Sequence, residues 1–201
     1  MKKGMLIGLG IVFILIIMVG GCVIGPYNTM VTKDEAVKEK WSQVENVYQR
    51  RLDLIPNLVN TVKGYATHEK ETFTAVTEAR AKAGGTMNIS GKTLSDPATF
   101  QKFQQAQSSL GGALSRLMVV MEKYPELKAN ENFLKLQDEL SGTENRIAVE
   151  RKRFNEVAKD FNVYIRKFPK NMIANIFGFK QRPYFTATEG ANIAPKVDFS
   201  K

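Results

Sequence analysis

Apolar residues recur along this chain at alternating steps of four and three. The first seam runs through Val37, Trp41, Val44 and Tyr48, passes a charge at Arg51, and continues through Ile55, Leu58, Val62 and Tyr65. That spacing keeps one face of an α-helix apolar, as packing in a long bundle requires. A second seam links Phe100, Phe103, Gln107, Leu110, Leu114, Leu117 and Met121. The third is the most regular: Phe133, Leu136, Leu140, Thr143, Ile147, Glu150, Phe154, Val157, Phe161, Tyr164 and Phe168. No strand-like alternation of useful length, internal repeat or low-complexity tract competes with these patterns. The expected class is all-α: an elongated, antiparallel, coiled-coil-like bundle.

Local signals set the expected boundaries. Gly25-Pro26 predicts a break. "TKDE", Thr32 to Glu35, has the form of a capping box, so a helix is expected to start at Thr32 and to stop at Gly84-Gly85. Within it, Pro56 lacks a backbone donor and clashes with the preceding turn. Asp53 can cap a helix restarting at Leu54, which would place Pro56 harmlessly in a first turn. The stretch "QRRLDLIPNLVNTVKGYATHEKE" is then a joint, with Asp53 and Asn57 on its polar side. Three long helices are expected, or four if the first is kinked or broken near Pro56. Asp96 followed by Pro97 predicts the start of the second helix, which ends near Tyr124-Pro125. The third starts between Pro125 and Glu131, crosses "SGTE" at Ser141 to Glu144 without a change of phase, and stops at Pro169. "NMIANIFGF" fits one or two further turns, and residues 180–201 an irregular tail. Residues 27–31 form a linker and residues 32–179 the bundle.

At 1.5 Å per residue the first helix would be roughly 78 Å long, the second about 40 Å and the third nearly 60 Å. Straight helices of these lengths leave overhangs carrying Trp41, Val44 and Tyr48 on one side and Phe154, Val157 and Phe161 on the other. Exposed stripes of this kind are interaction surfaces. Either the first helix folds back at Pro56, or subunits of a homo-oligomer cover each other's overhangs.

Residues 1–26 differ from the rest. Met5 to Ile24 is a run of twenty uncharged, mostly aliphatic residues, about 30 Å of helix and hence about one hydrocarbon core. A single-pass anchor in the lipid bilayer through residues 5–24 is expected. The alternative is a lipoprotein signal ending before Cys22, since "VGGC" has the form of a lipobox and Cys22 would then be lipidated. Lys2 and Lys3 favour a cytoplasmic N-terminus, while Lys33, Lys38 and Lys40 oppose it. The domain is expected on the extracytoplasmic side of that membrane.

Charge and composition narrow the chemistry. The net charge is +9, with twelve basic and six acidic residues in 144–201. The basic segment includes Arg151, Lys152 and Arg153, and aromatic residues Phe168, Phe177, Phe179, Tyr184 and Phe185 accompany its later part. It suits a solvated helix face packed on the bundle end, or anionic lipid; no motif supports nucleic acid. The one cysteine precludes an internal disulfide. His68 is the only histidine. A zinc-protease helix needs a second one four residues on, where Thr72 stands. A carboxylate di-metal bundle needs a glutamate three before it, where Tyr65 stands. "GGTMNISGKT" lacks the spacing of a nucleotide loop. No catalytic residue, metal ligand or cofactor is expected. A hydrolase with an atypical site is the enzyme alternative, and the chain lacks the usual residues for it.

Arg51 and Glu150 are charges at seam positions, and a buried charge must be paired or it is costly. They either specify register, within the bundle or across subunits, or reach its edge. Helix heights place Glu150 nearer Arg80 than Arg51. The candidate interaction and structural residues are therefore Trp41, Arg51, Asp53, Pro56, Asn57, Glu150, Arg151, Lys152 and Arg153.

The string "YNTMVTKDEAVKEKWSQVENVYQRRLDLIPNLVNTVKGYATHEKETFTAVTEARAKA" closely resembles the N-terminal half of LemA-family bacterial membrane proteins. "YPELKANENFLKLQDELSGTENRIAVERKRFNEVAKDFNVYIRKFP" and "FGFKQRPYF" resemble the remainder, so the likeness extends from Tyr27 to Phe199. It implies one N-terminal membrane segment, an antiparallel helical domain and association with the bacterial envelope, and it supplies no biochemical activity. Cys22 is a departure from the family pattern. The expected function is a non-enzymatic, membrane-anchored scaffold or assembly factor that acts through self-association and an envelope protein partner. The alternative is an anionic-lipid-binding module using the basic C-terminal third.

Overall fold

The computed structural model describes residues 2–87 and 93–186, without the side chains at positions 2, 3, 5, 12, 15, 16, 18, 19 and 22. The Cys22 side chain, part of the loop after Met87 and most of the expected tail thus lie outside the described residues. Regular structure among those described is helical throughout: α1 Lys2–Lys63, α2 Lys70–Met87, α3 Pro97–Met121, the single turn α4 Pro125–Lys128, α5 Glu131–Arg166 and α6 Lys170–Ile176.

The expected transmembrane anchor is corrected. Among the described residues no helix is long and apolar enough to cross a membrane.

The joints are also placed differently. α1 passes through Gly25-Pro26, Thr32 and Pro56 without interruption. Thr32 is not a cap: its hydroxyl donates to the Asn28 carbonyl at 3.0 Å, one turn back, as in a helix interior. Asp53 is not a cap either, because its carboxylate accepts from the Gln49 amide at 2.7 Å. The break falls eight residues after Pro56, at residues 64–69. There the Tyr65 and Ala66 amides both donate to the Val62 carbonyl, at 3.0 and 2.9 Å.

Pro56 is accommodated by a donor from elsewhere. Its missing N–H would have bonded the Leu52 carbonyl, one turn back. Arg80 Nε on α2 donates to that carbonyl instead, at 2.8 Å.

Other local expectations hold. Asp96 caps α3, its side chain accepting from the Ala98 and Thr99 amides, with Pro97 in the first turn. α5 runs unbroken through Ser141 to Glu144, where the Thr143 hydroxyl bonds back to the Glu139 carbonyl at 2.7 Å. Asn130 caps α5 by accepting from the Phe133 amide at 3.0 Å.

The chain divides into two compact units: Met1–Gln43 with Arg153–Arg182, and Val44–Lys152 with Pro183–Lys201. In the first unit α1 and α5 are antiparallel, since Trp41 meets Phe154 (ring centroids 5.5 Å apart) while Lys33 lies over Tyr164. Trp41, Phe154 and Phe161, expected on uncovered overhangs, are buried here within one chain. α6 closes at Gly178, whose φ of +76° suits glycine. Phe179 then turns back onto Tyr27 and Phe161. Arg182 is gripped from both sides: the Asn162 amide donates to its carbonyl at 2.8 Å and accepts from its N–H at 2.7 Å, while its guanidinium bonds buried Asp34.

The second unit is a four-helix bundle with up-down-up-down topology. α1 and α3 are parallel, Tyr48 lying against Phe103 and Arg51 against Gln107. α5 opposes them, with Arg51 paired to Glu144 and Tyr65 bonded to Asn130. The core draws on every helix, including Ile55, Leu58 and Val62 of α1, Phe73 and Val76 of α2, Leu110 and Leu117 of α3, and Phe133 and Leu140 of α5.

Candidate functional site

The seam of α1 carries Arg51 into the second unit's interior, where it is 3% exposed. Such a charge is tolerable only with partners. Arg51 Nη1 donates to the Glu144 carboxylate on α5 at 3.0 Å. Nη2 donates to the Gln107 carbonyl on α3 at 3.3 Å and also to the Gln107 side-chain oxygen. The guanidinium lies over the Tyr48 ring, 5.0 Å from its centroid. One residue thus ties three helices together and fixes their relative height. Burial pushes the Tyr48 hydroxyl above the usual tyrosine pKa, partly offset by the Arg151 and Arg51 charges.

Arg151 approaches from α5. It lies over the Phe185 ring at 4.8 Å and donates to the Thr186 carbonyl at 2.9 Å. Phe185 packs on Phe100 and Phe103 of α3, and the Thr186 amide donates to Gln104 Oε1 at 3.2 Å. The segment from Pro183 to Thr186 is irregular, as expected from its sequence, but it is anchored.

These residues surround a cavity of about 490 Å³, within the range of small-ligand sites. Arg51 and Gln107 both line it, and each also has a fully buried nitrogen, Nε and Nε2 respectively, that finds no protein acceptor and does not reach the cavity. An unmatched buried donor costs about 1–3 kcal/mol.

The remaining sequence candidates are scattered. Trp41 belongs to the other unit. Asp53 and Asn57 are exposed on α1, and Pro56 is half-buried there. Glu150 is half-buried on α5, and Lys152 and Arg153 are exposed. His68 is exposed in the turn between α1 and α2. Sequence reasoning singled out Arg51 and Arg151 but not Glu144, Gln107, Tyr48 or Thr186 as their company. Gln107 had the clearest signal: a polar residue on an otherwise apolar seam. Glu144 and Thr186 had none.

The model of the LemA family matches residues 40–199. The chain belongs to the LemA family. Among curated proteins, a LemA-family chain such as this one is similar to Magnetosome protein MamQ 2 of Paramagnetospirillum magneticum, with 33% identity over 174 residues, covering 79% of this chain and 64% of the relative. Magnetosome protein MamQ of Magnetospirillum gryphiswaldense is 32% identical over the same coverage. Protein LemA of Metamycoplasma hominis is 26% identical over 166 residues, covering 83% of this chain and 71% of the relative. The aligned part is less than two thirds of the MamQ proteins' length.

Proposed function

We propose that this chain is a non-enzymatic helical assembly factor of the bacterial envelope that associates with a membrane surface. The observation that carries the reading is a stripe in the first unit. Phe168, Met172 and Ile176 recur one helical turn apart along α6 and its entry, with Phe177 beside them, and all four are exposed, Phe168 by 81% and Ile176 by 77%. Arg166, Lys167 and Lys180 are exposed around the stripe. Apolar side chains on one edge and cations beside them are the recipe for a helix that lies in a lipid interface. Fully burying one such side chain contributes about 1.5–3 kcal/mol, and a cation near an anionic surface about 1 kcal/mol. Together these support reversible docking.

The non-enzymatic part draws on the lone histidine and on the relatives, whose names state a place or a family and not a reaction. Self-association is not what this reading rests on, because Trp41, Phe154 and Phe161 are covered within one chain.

Flotation with vesicles tests it. The full chain should float with vesicles containing anionic lipid more than with zwitterionic ones, and less at high salt. Phe168→Ser combined with Ile176→Ser, and separately Lys167→Glu, should each reduce flotation. Flotation indifferent to lipid charge, salt and all three substitutions would overturn the proposal.

A further inference from the structure

Tyr164 on α5 is flanked by lysines from two other helices of the first unit. Lys170, at the start of α6, places Nζ 4.0 Å from the ring centroid, and Lys33 on α1 places Nζ 5.8 Å from it. Both lysines are half-buried. A ring face attracts an ammonium without neutralising it, and each ammonium carries three donors. Among the described residues neither lysine has a carboxylate within ion-pair distance, and the Tyr164 hydroxyl forms no hydrogen bond. The acid next to Lys33 is committed elsewhere, since Asp34 pairs with Lys38 and Arg182. Two like charges thus converge on one ring with no opposite charge from the described residues.

We propose that Lys33 and Lys170 bind the phosphomonoester headgroup of an anionic lipid, with the Tyr164 hydroxyl as a further donor. This rests on the membrane-surface reading and narrows it from negative charge in general to one headgroup. Depth supports it. Lys170 precedes Met172 by two residues, so at about 3.6 residues per turn it stands on the opposite side of α6 from the exposed stripe. That is the side on which Ile173 and Ala174 are buried. With the stripe at the edge of the acyl layer, a helix about 10–12 Å across lifts Lys170 to the height of the lipid phosphates. Lysine suits phosphate as a compact point charge. A phosphomonoester offers three acceptor oxygens and a charge of about −1.5 to −2 at neutral pH, where a phosphodiester has one free oxygen fewer and a single charge. The monoester can therefore serve two ammonium groups and a phenol together.

The test compares binding of the full chain to phosphatidylcholine vesicles carrying either phosphatidic acid or phosphatidylglycerol, adjusted to equal surface charge. Phosphatidic acid vesicles should bind about tenfold more tightly, the effect of one hydrogen bond to a charged group. Lys33→Gln combined with Lys170→Gln should bring that ratio to about one. Arg166→Gln combined with Lys180→Gln removes the same charge from exposed positions beside the stripe. It should weaken binding to both vesicles and leave the ratio standing. Phe168→Ser combined with Ile176→Ser should likewise weaken both. Glycerol 3-phosphate carries the same group without acyl chains, and at the lipid's concentration it should not displace the protein from phosphatidic acid. Equal binding of the two vesicles by the unaltered chain would overturn the headgroup site and leave the membrane reading intact, whereas binding to neither would refute that reading as well. A ratio unchanged by the Lys33 and Lys170 substitutions, or lost with Arg166 and Lys180 instead, would also overturn the site. Displacement by glycerol 3-phosphate would overturn its assignment to a lipid.

Discussion

The uninterrupted passage of α1 through Pro56 leads to a prediction that can be worked through quantitatively. Proline in a helix interior costs about 3 kcal/mol, part of it from the carbonyl left without a donor. Here that carbonyl belongs to Leu52, and Arg80 Nε donates to it at 2.8 Å. Hydrogen bonds to charged groups contribute about 1.5–3 kcal/mol. Arg80→Met keeps the apolar stem and deletes the donor, so it should destabilise the protein by about 2 kcal/mol. In a Pro56→Ala background the new alanine N–H takes the Leu52 carbonyl, and the same change should cost less than about 0.5 kcal/mol. The coupling energy of the cycle is then about 1.5 kcal/mol. Urea unfolding of the four proteins, followed by circular dichroism, measures it. If Arg80→Met costs the same in both backgrounds, Arg80 does not substitute for the missing proline donor and the account of α1 is wrong.

Arg51→Met should cost about 2 kcal/mol, below the usual figure for breaking a buried pair because the orphaned Glu144 side chain is 44% exposed. Glu144→Gln should cost less than about 1 kcal/mol, and urea midpoints at constant m-value distinguish the two. The folded Tyr48 pKa lies above its unfolded value, so the protonated phenol's contribution is complete below about pH 10 and is lost as pH rises through the folded pKa. Spectrophotometric titration should show a late-ionising fraction that shrinks in Tyr48→Phe. Asp96 has the opposite sign. Hydrogen bonds from the Thr99 side chain and the Thr99 and Ala98 amides hold its pKa below the usual carboxylate range. Its contribution is present above the unfolded pKa and is lost as pH falls through the folded one. Asp96→Ala should lower the melting temperature at neutral pH and flatten the acid limb of stability against pH.

The periodic seams were readable because burial against a neighbouring helix acts on every turn. Val37, Trp41, Ile55, Phe103, Leu117, Phe154 and Phe161 are all buried where the four-and-three spacing puts them. The Asp96 cap was readable because its partners lie within three residues. The proline and the capping boxes misled because local rules omit distant donors and acceptors. Arg80 is 28 residues from Leu52, and nothing near Pro56 announces it. The site shows the same divide. Arg51 stood out as a charge in an apolar seam, but its partners lie 56 and 93 residues away, beyond any local pattern. Phe168 ends a seam by periodicity yet is exposed, since α5 stops at Arg166 and the seam has nothing further to face.

The clamp on Arg182 bears on how the protein is made. Asp34 and Arg182 are 148 residues apart, so the first half of α1 leaves the ribosome long before its packing partners exist. At 5–20 residues per second that interval is on the order of ten seconds. For most of it Trp41 has no covering helix, since Phe154 on α5 follows it by more than a hundred residues. The N-terminal segment is synthesised first and finished last, so premature termination before residue 182 should harm the earliest part of the chain more than the middle.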